Sequence, residues 1–170
     1  LEIGCGTGLF TRHLLALRPR KLILNDLAPA MIHRLEEQID LPSNVRSIIG
    51  NAESLSFPEM ALIAANAVFQ WFDSPRPSLK HLGGFLKPNG RLIFSTFGSN
   101  TLKELRDMAE ITSPTNLLPR SRWKKIISQA GLELDDAQTE LRKIFFSSTF
   151  SLLKNLQQSG TAPLRFLAAG

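Results

Sequence analysis

The sequence predicts an α/β fold, a doubly wound and mostly parallel sheet forming one domain over residues 1–170, and three observations carry that prediction. A glycine-rich corner, Gly4-Cys5-Gly6-Thr7-Gly8, follows an apolar strand end and runs straight into a helical pattern. Short apolar runs then alternate with helical stretches through more than half of the chain, the sequence form of successive βαβ units. Asp26 closes the second apolar run, 18 residues past Gly8, where a βαβ unit turns the end of its second strand toward the first loop.

Taken in order, Leu1-Glu2-Ile3 ends the first strand, and a helix is expected from about Leu9 to Leu17. Glycine suits the corner between them because the turn needs backbone angles closed to other residues, and because a ligand can lie against bare main chain. The helix start directs its unpaired N–H groups at the same spot. The spacing is G-x-G-x-G rather than the dinucleotide G-x-G-x-x-G, with Glu2 just ahead of it. A glutamate there sits badly with a pyrophosphate and well with a ligand carrying an ammonium or sulfonium group. Lys21-Leu22-Ile23-Leu24-Asn25 reads as the second strand, and Asp26 at its end is able to accept from both hydroxyls of a ribose.

Val45 to Ile49 is the third expected strand, followed by Gly50-Asn51-Ala52-Glu53. Ala61 to Ala65 is the fourth, and it runs into Asn66-Ala67-Val68-Phe69-Gln70-Trp71-Phe72. Loops beyond the carboxyl ends of parallel strands form the ligand crevice, which puts Phe69, Gln70 and Trp71 in position to line it. Phe72 reads as a core residue, while Gln70 and Trp71 suit either core or crevice. A helix from about Pro77 to Phe85 leads through a turn, Leu86 to Gly90, into a fifth strand, Arg91 to Thr96. Thr101 and Glu104 make a T-x-x-E capping box for another helix. Leu132 to about Phe146 reads as a sixth strand, and Phe150 to Gln158 as a final helix.

The E-x-G-x-G-x-G corner resembles the first motif of the seven-stranded, S-adenosylmethionine-dependent methyltransferases. Gly50-Asn51-Ala52-Glu53 is similar to that family's G-D-A-E segment, with asparagine where the family has aspartate. Asn51 still offers an amide oxygen to an adenine amino group, without a charge. Three further segments, Phe94 to Leu105, Asn66 to Trp71 and Leu153 to Gly160, resemble the malonyl-acyl carrier protein O-methyltransferases that start pimelate assembly in biotin synthesis.

The resemblance implies a Rossmann-like methyltransferase fold and S-adenosylmethionine as cofactor, with S-adenosylhomocysteine as product. It places Glu2, Gly4, Cys5, Gly6, Gly8, Asp26, Leu27, Asn51, Ala52 and Asn66 around the cofactor, and Gln70, Trp71, Thr96 and Phe97 around the methyl acceptor. The implied acceptor is malonyl-acyl carrier protein or malonyl-coenzyme A. Met60-Ala61 stands where many relatives carry an acid, and family members have an N-terminal segment and a last strand that this chain lacks. Both ends are therefore expected to be incomplete, and no catalytic residue is assigned. A quinone or small-molecule methyltransferase, a complex I assembly factor, and a non-catalytic interaction subunit of the same fold are the alternatives.

A chain of 170 residues that is 43% hydrophobic has material for one substantial core, without linker or repeat. The net charge of +5 fits an acidic partner, for which Arg120, Arg122, Lys124, Lys125, Lys154 and Arg165 form a candidate surface, although such a run is commonly a solvated helix face. Nucleic acid is not expected, since there is no RNA-binding module or dense basic stripe and tyrosine is absent. No apolar run is long enough to cross a bilayer and no signal-peptide layout is present, so a cytoplasmic, membrane-free protein is expected. Cys5 is the only cysteine, which rules out an internal disulfide; between two glycines it reads as a small filler. His13, His33 and His81 are scattered over expected helices, and no metal is expected.

Overall fold

A computed structural model describes residues 1–108 and 116–158 and divides the chain into two compact units, Leu1–Asp136 and Ala137–Gly170. The first unit contains β1 (Glu2–Ile3), α1 (Thr11–Ala16), β2 (Leu22–Asp26), α2 (Pro29–Gln38), β3 (Val45–Ile49), β4 (Met60–Asn66), α3 (Pro75–Gly83), β5 (Leu86–Ser95), α4 (Lys103–Met108) and α5 (Arg120–Gln129). All strands pair in parallel, in the order β3-β2-β1-β4-β5. The chain winds outward from β1 to β3, then crosses back to lay β4 and β5 on the other side. This reversal opens a crevice beyond the carboxyl ends of β1 and β4.

Side chains alternate across a strand, so each buried strand feeds two cores. Leu22 and Leu24 of β2 pack in a cluster with Leu14 of α1 and Ile32 and Leu35 of α2. Ile23, between them, joins the opposite cluster with Leu79 and Leu82 of α3 and Trp123, Ile126 and Ile127 of α5. Helices thus cover both faces, the doubly wound arrangement expected from the sequence. Phe69 sits fully buried in the second cluster, with ring centroids 4.8 Å from Phe72, 4.5 Å from Phe94 and 6.1 Å from Trp123. Burial of each such side chain stabilises the fold by about 1.5–3 kcal/mol.

Local chemistry sets the helix ends. α2 and α3 each begin with a proline in the first turn, where fixed φ helps and no N–H is missed. Just past the end of α5 stands Gly131, whose φ of 79° permits the paired bonds from Gly131 N–H to Ser128 O and from Leu132 N–H to Ile127 O.

Three expectations are corrected. The fifth strand begins at Leu86, not Arg91: Met60 pairs with Leu86 and Leu62 with Arg91, so the turn residues bulge within the strand, Asn89 at φ 60°. The sixth strand is absent: residues 132–146 contain no strand, because a strand exists only with a ladder partner and the described sheet ends at β5. Leu141, Ile144 and Phe145 in that stretch are exposed. The capping box at Thr101 also fails to form, since Leu102 turns left-handed at φ 51° and α4 starts after it.

Within the second unit, α6 (Thr149–Gln158) follows Ser148, whose hydroxyl accepts from the Ser151 N–H while the Ser151 hydroxyl accepts from the Ser148 N–H. This reciprocal pairing starts the helix close to the expected position.

Candidate functional site

The three loop glycines all have positive φ, at 64° for Gly4, 54° for Gly6 and 88° for Gly8, but they serve different ends. A Cβ on Gly4 would collide with Val68, and one on Gly8 with Ile39 and Leu35, so these two permit close packing. A Cβ on Gly6 would meet no protein atom within 4 Å. Gly6 is the position whose bare backbone faces open space.

The loop is pinned to the end of β2. The Gly6 N–H donates to Asp26 Oδ2 at 2.8 Å, the Ala28 N–H to Asp26 Oδ1 at 2.9 Å, and the Cys5 N–H to Asn25 O at 2.9 Å. Each Asp26 oxygen keeps acceptor capacity beyond its one backbone bond, as a vicinal diol requires. Leu27 next to it is 69% exposed, an apolar surface on the same rim.

Glu2 of β1 is buried, 1% exposed, and accepts a hydrogen bond from the Thr11 hydroxyl at 2.7 Å. No lysine or arginine forms an ion pair with it among the described residues. Burial pushes its carboxyl up to about 7, opposed by the Thr11 bond and reinforced by the Asp26 charge. A buried carboxylate with no basic side chain beside it favours a cationic ligand. Cys5 is buried in the core cluster under α1 and α2, and burial holds its thiol up at about 12, which makes it a filler rather than a nucleophile.

At the end of β3, the buried Asn25 amide donates to Ile48 O and Gly50 O, both at 3.0 Å. The Gly50 N–H donates to Asp26 O at 2.9 Å, which joins the loops after β2 and β3. Asn51 is exposed, yet its amide oxygen accepts from the Glu53 N–H at 2.9 Å. An aspartate would keep a second oxygen for a ligand; asparagine presents an NH₂ instead. The Ala52 side chain is buried in the core beneath the loop.

The acceptor candidates divide. Gln70 is 2% exposed and its amide is committed: Nε2 donates to Ala67 O at 2.6 Å, and Oε1 accepts from the Thr96 hydroxyl at 3.1 Å. Gln70 and Thr96 therefore brace the turn after β4. Phe69, expected at the crevice, belongs wholly to the core. Trp71 and Phe97, 44% and 37% exposed, present aromatic surface to solvent. Asn66 accepts at Oδ1 from the Ser95 hydroxyl at 2.5 Å.

Asn116 adds a brace that the sequence did not suggest: its N–H donates to Gln70 O at 2.8 Å and its amide to Phe72 O. The chain runs on from Asn116 into α5, so Arg120 and Arg122 begin a helix that starts beside the 70–72 turn. Arg120, Arg122, Lys124 and Lys125 are all exposed. Lys154 belongs to the second unit, and Arg165 lies outside the described residues. Among the described residues, no group of three or more His, Cys, Asp or Glu is placed to hold a metal, and no helix is long and apolar enough to cross a membrane.

Residues 1–94 match the family model described as a methyltransferase domain. The chain is 34% identical to a protein of Paenibacillus sp. (strain JDR-2) named malonyl-[acyl-carrier protein] O-methyltransferase, over 95% of this chain and 65% of that protein. It is 36% identical to one of the same name from Bacteroides thetaiotaomicron, over 94% of this chain and 60% of the relative. Its length thus spans somewhat under two thirds of these relatives. Among solved structures, it matches one of a methyltransferase complexed with the Trm112 methyltransferase activator of Haloferax volcanii, with TM-score 0.67 and 16% identity, over 76% of this chain and 58% of the other. That likeness is one of fold.

Proposed function

Because this chain belongs to the methyltransferase-domain family, we propose that its crevice binds S-adenosylmethionine and directs methyl transfer to the free carboxylate of a malonyl thioester on an acyl carrier protein. The observation that carries the cofactor reading is the open backbone of Gly6, tied through its N–H to Asp26 and lying just beyond the buried Glu2 of β1 in the chain. That set matches the cofactor chemically: a carboxylate for the cationic methionine end, bare backbone for close approach, and a two-oxygen acceptor for the ribose diol. Asn51 and Leu27 border the position for the base. When bound, S-adenosylmethionine supplies a methyl group activated by a sulfonium leaving group.

The protein's own task is then mostly alignment. A malonyl carboxylate is ionised at neutral pH, with ordinary carboxyl values near ~4, so no general base has to remove a proton. Trp71 and Phe97 wall the acceptor side and exclude water, while Gln70, Thr96 and Asn116 hold that wall still. The carrier is read from the names of the relatives and from charge. Carrier proteins are acidic, and the basic start of α5 stands next to the acceptor wall, where a docked carrier delivers its thioester arm.

The test is incubation of the chain with labelled S-adenosylmethionine and, separately, malonyl carrier protein, malonyl-coenzyme A and free malonate. A base-labile methyl ester forming fastest on the carrier-bound malonyl group is the expected result. Cofactor binding with no ester on any of the three overturns the substrate assignment, and absence of cofactor binding overturns the whole reading.

A further inference from the structure

Glu53 joins two loops that the sheet itself leaves separate. Its backbone N–H closes the Asn51 turn at the end of β3, but its carboxylate reaches the segment after β4. Oε2 accepts from the Asp73 N–H at 3.1 Å; Oε1 accepts from the Ser78 hydroxyl at 2.5 Å and more weakly from the Ser74 N–H at 3.5 Å. These donors form the entry to α3. That entry lacks its own cap: Ser74 makes no side-chain cap bond, and the first turn contains no acid. Pro75 and Pro77 also contribute no N–H. Glu53 brings from outside the acceptor and the negative charge that a helix start calls for.

Immediately before this entry stands the turn that holds Trp71. One side of the turn is braced by Gln70, Thr96 and Asn116. The carboxylate of Glu53 anchors the other side, from the loop that borders the position for the base. We propose that Glu53 is a positioning residue for the acceptor wall, fixing where Trp71 stands relative to the Asn51 loop. The proposal rests on the functional reading above and adds a residue that touches neither cofactor nor acceptor. Its effect is selective for a physical reason. Glu53 closes the Asn51 turn through its backbone, so truncating the side chain leaves the cofactor loop intact while releasing the α3 entry.

The test uses the whole chain with Glu53→Ala, Glu53→Gln and Ser78→Ala. In Glu53→Ala, affinity for S-adenosylhomocysteine is expected to stay within about threefold while KM for malonyl carrier protein rises about tenfold or more, since small misplacements near a reacting group are costly. Glu53→Gln falls between, keeping an acceptor but losing the charge, and Ser78→Ala shows a smaller effect in the same direction. Amide exchange at Asp73 and Ser74 quickens, and iodide quenching of Trp71 changes; Trp123, the other tryptophan, is buried and screened from the quencher. Equal loss of cofactor affinity and acceptor KM overturns the proposal in favour of general damage. An unchanged acceptor KM overturns it as well. If the wild-type chain binds no S-adenosylhomocysteine, the functional reading fails on its own, and the anchor is judged by exchange and quenching: no change in both overturns it.

Discussion

Replacing Glu2 by glutamine separates what a buried carboxylate costs the fold from what it contributes to a ligand. Glu2 is 1% exposed, and burial raises its carboxyl from 4.5 to about 7. The unfolded chain releases this proton near 4.5, whereas the folded chain holds it until about 7. The stability tied to the group is thus fully present below about 4.5, is lost as pH rises to about 7, and stays lost above that. At 1.36 kcal/mol per pH unit, the whole loss is about 3 kcal/mol. Glutamine has nearly the same shape, accepts from Thr11 through its amide oxygen, and never ionises.

Urea unfolding is therefore expected to give Glu2→Gln and wild type nearly equal stability close to pH 4.5, with the variant ahead by up to about 3 kcal/mol at pH 8. Calorimetry at pH 8 is expected to show the opposite ranking for the ligand, with S-adenosylmethionine bound about tenfold or more weakly by the variant, the loss of one charge-assisted contact. A variant no more stable at pH 8 than at pH 4.5, relative to wild type, would refute the burial argument. Equal cofactor affinity would refute the assignment of Glu2 to the cationic end.

Gly6→Ala is expected to cost about 1–2 kcal/mol in thermal unfolding from its left-handed backbone and to abolish S-adenosylhomocysteine binding by filling the open face; retained binding would reduce the loop to a turn. Asp26→Asn is expected to weaken S-adenosylmethionine by about 1.5–3 kcal/mol, from the loss of a charged acceptor, and unchanged affinity in calorimetry would remove Asp26 from the ribose position. Charge reversal at Arg122, Lys124 and Lys125 is expected to slow methylation of malonyl carrier protein and flatten its salt dependence while sparing malonyl-coenzyme A, because exposed charges steer encounter rather than set geometry in the crevice. Equal losses on both substrates would point instead to damaged folding or a shared site, and no loss on either would place the carrier surface elsewhere.

What was legible in the sequence depended on how far each residue reaches. Gly6 and Asp26 were readable because their meaning is set by local sterics and by spacing within one βαβ unit. Their direct bond of 2.8 Å is the closure that spacing implies. Thr11, Asn25, Glu53 and Asn116 were not, since each acts only through a partner that folding brings near: Glu2 for Thr11, Gly50 for Asn25, the α3 entry for Glu53, and Phe72 for Asn116. The missing sixth strand errs for the same reason, an apolar pattern without a ladder partner. Gln70 is the sharpest case. A glutamine among aromatics at a crevice mouth invites a role in binding, but its amide is spent on Ala67 and Thr96. A buried amide has to satisfy both of its polar ends, and at a turn with free backbone groups the nearest partners are the backbone and its neighbours. Trp71 and Phe97 instead keep aromatic surface exposed, and Trp71 stands in a turn braced by the polar residues Gln70, Thr96 and Asn116.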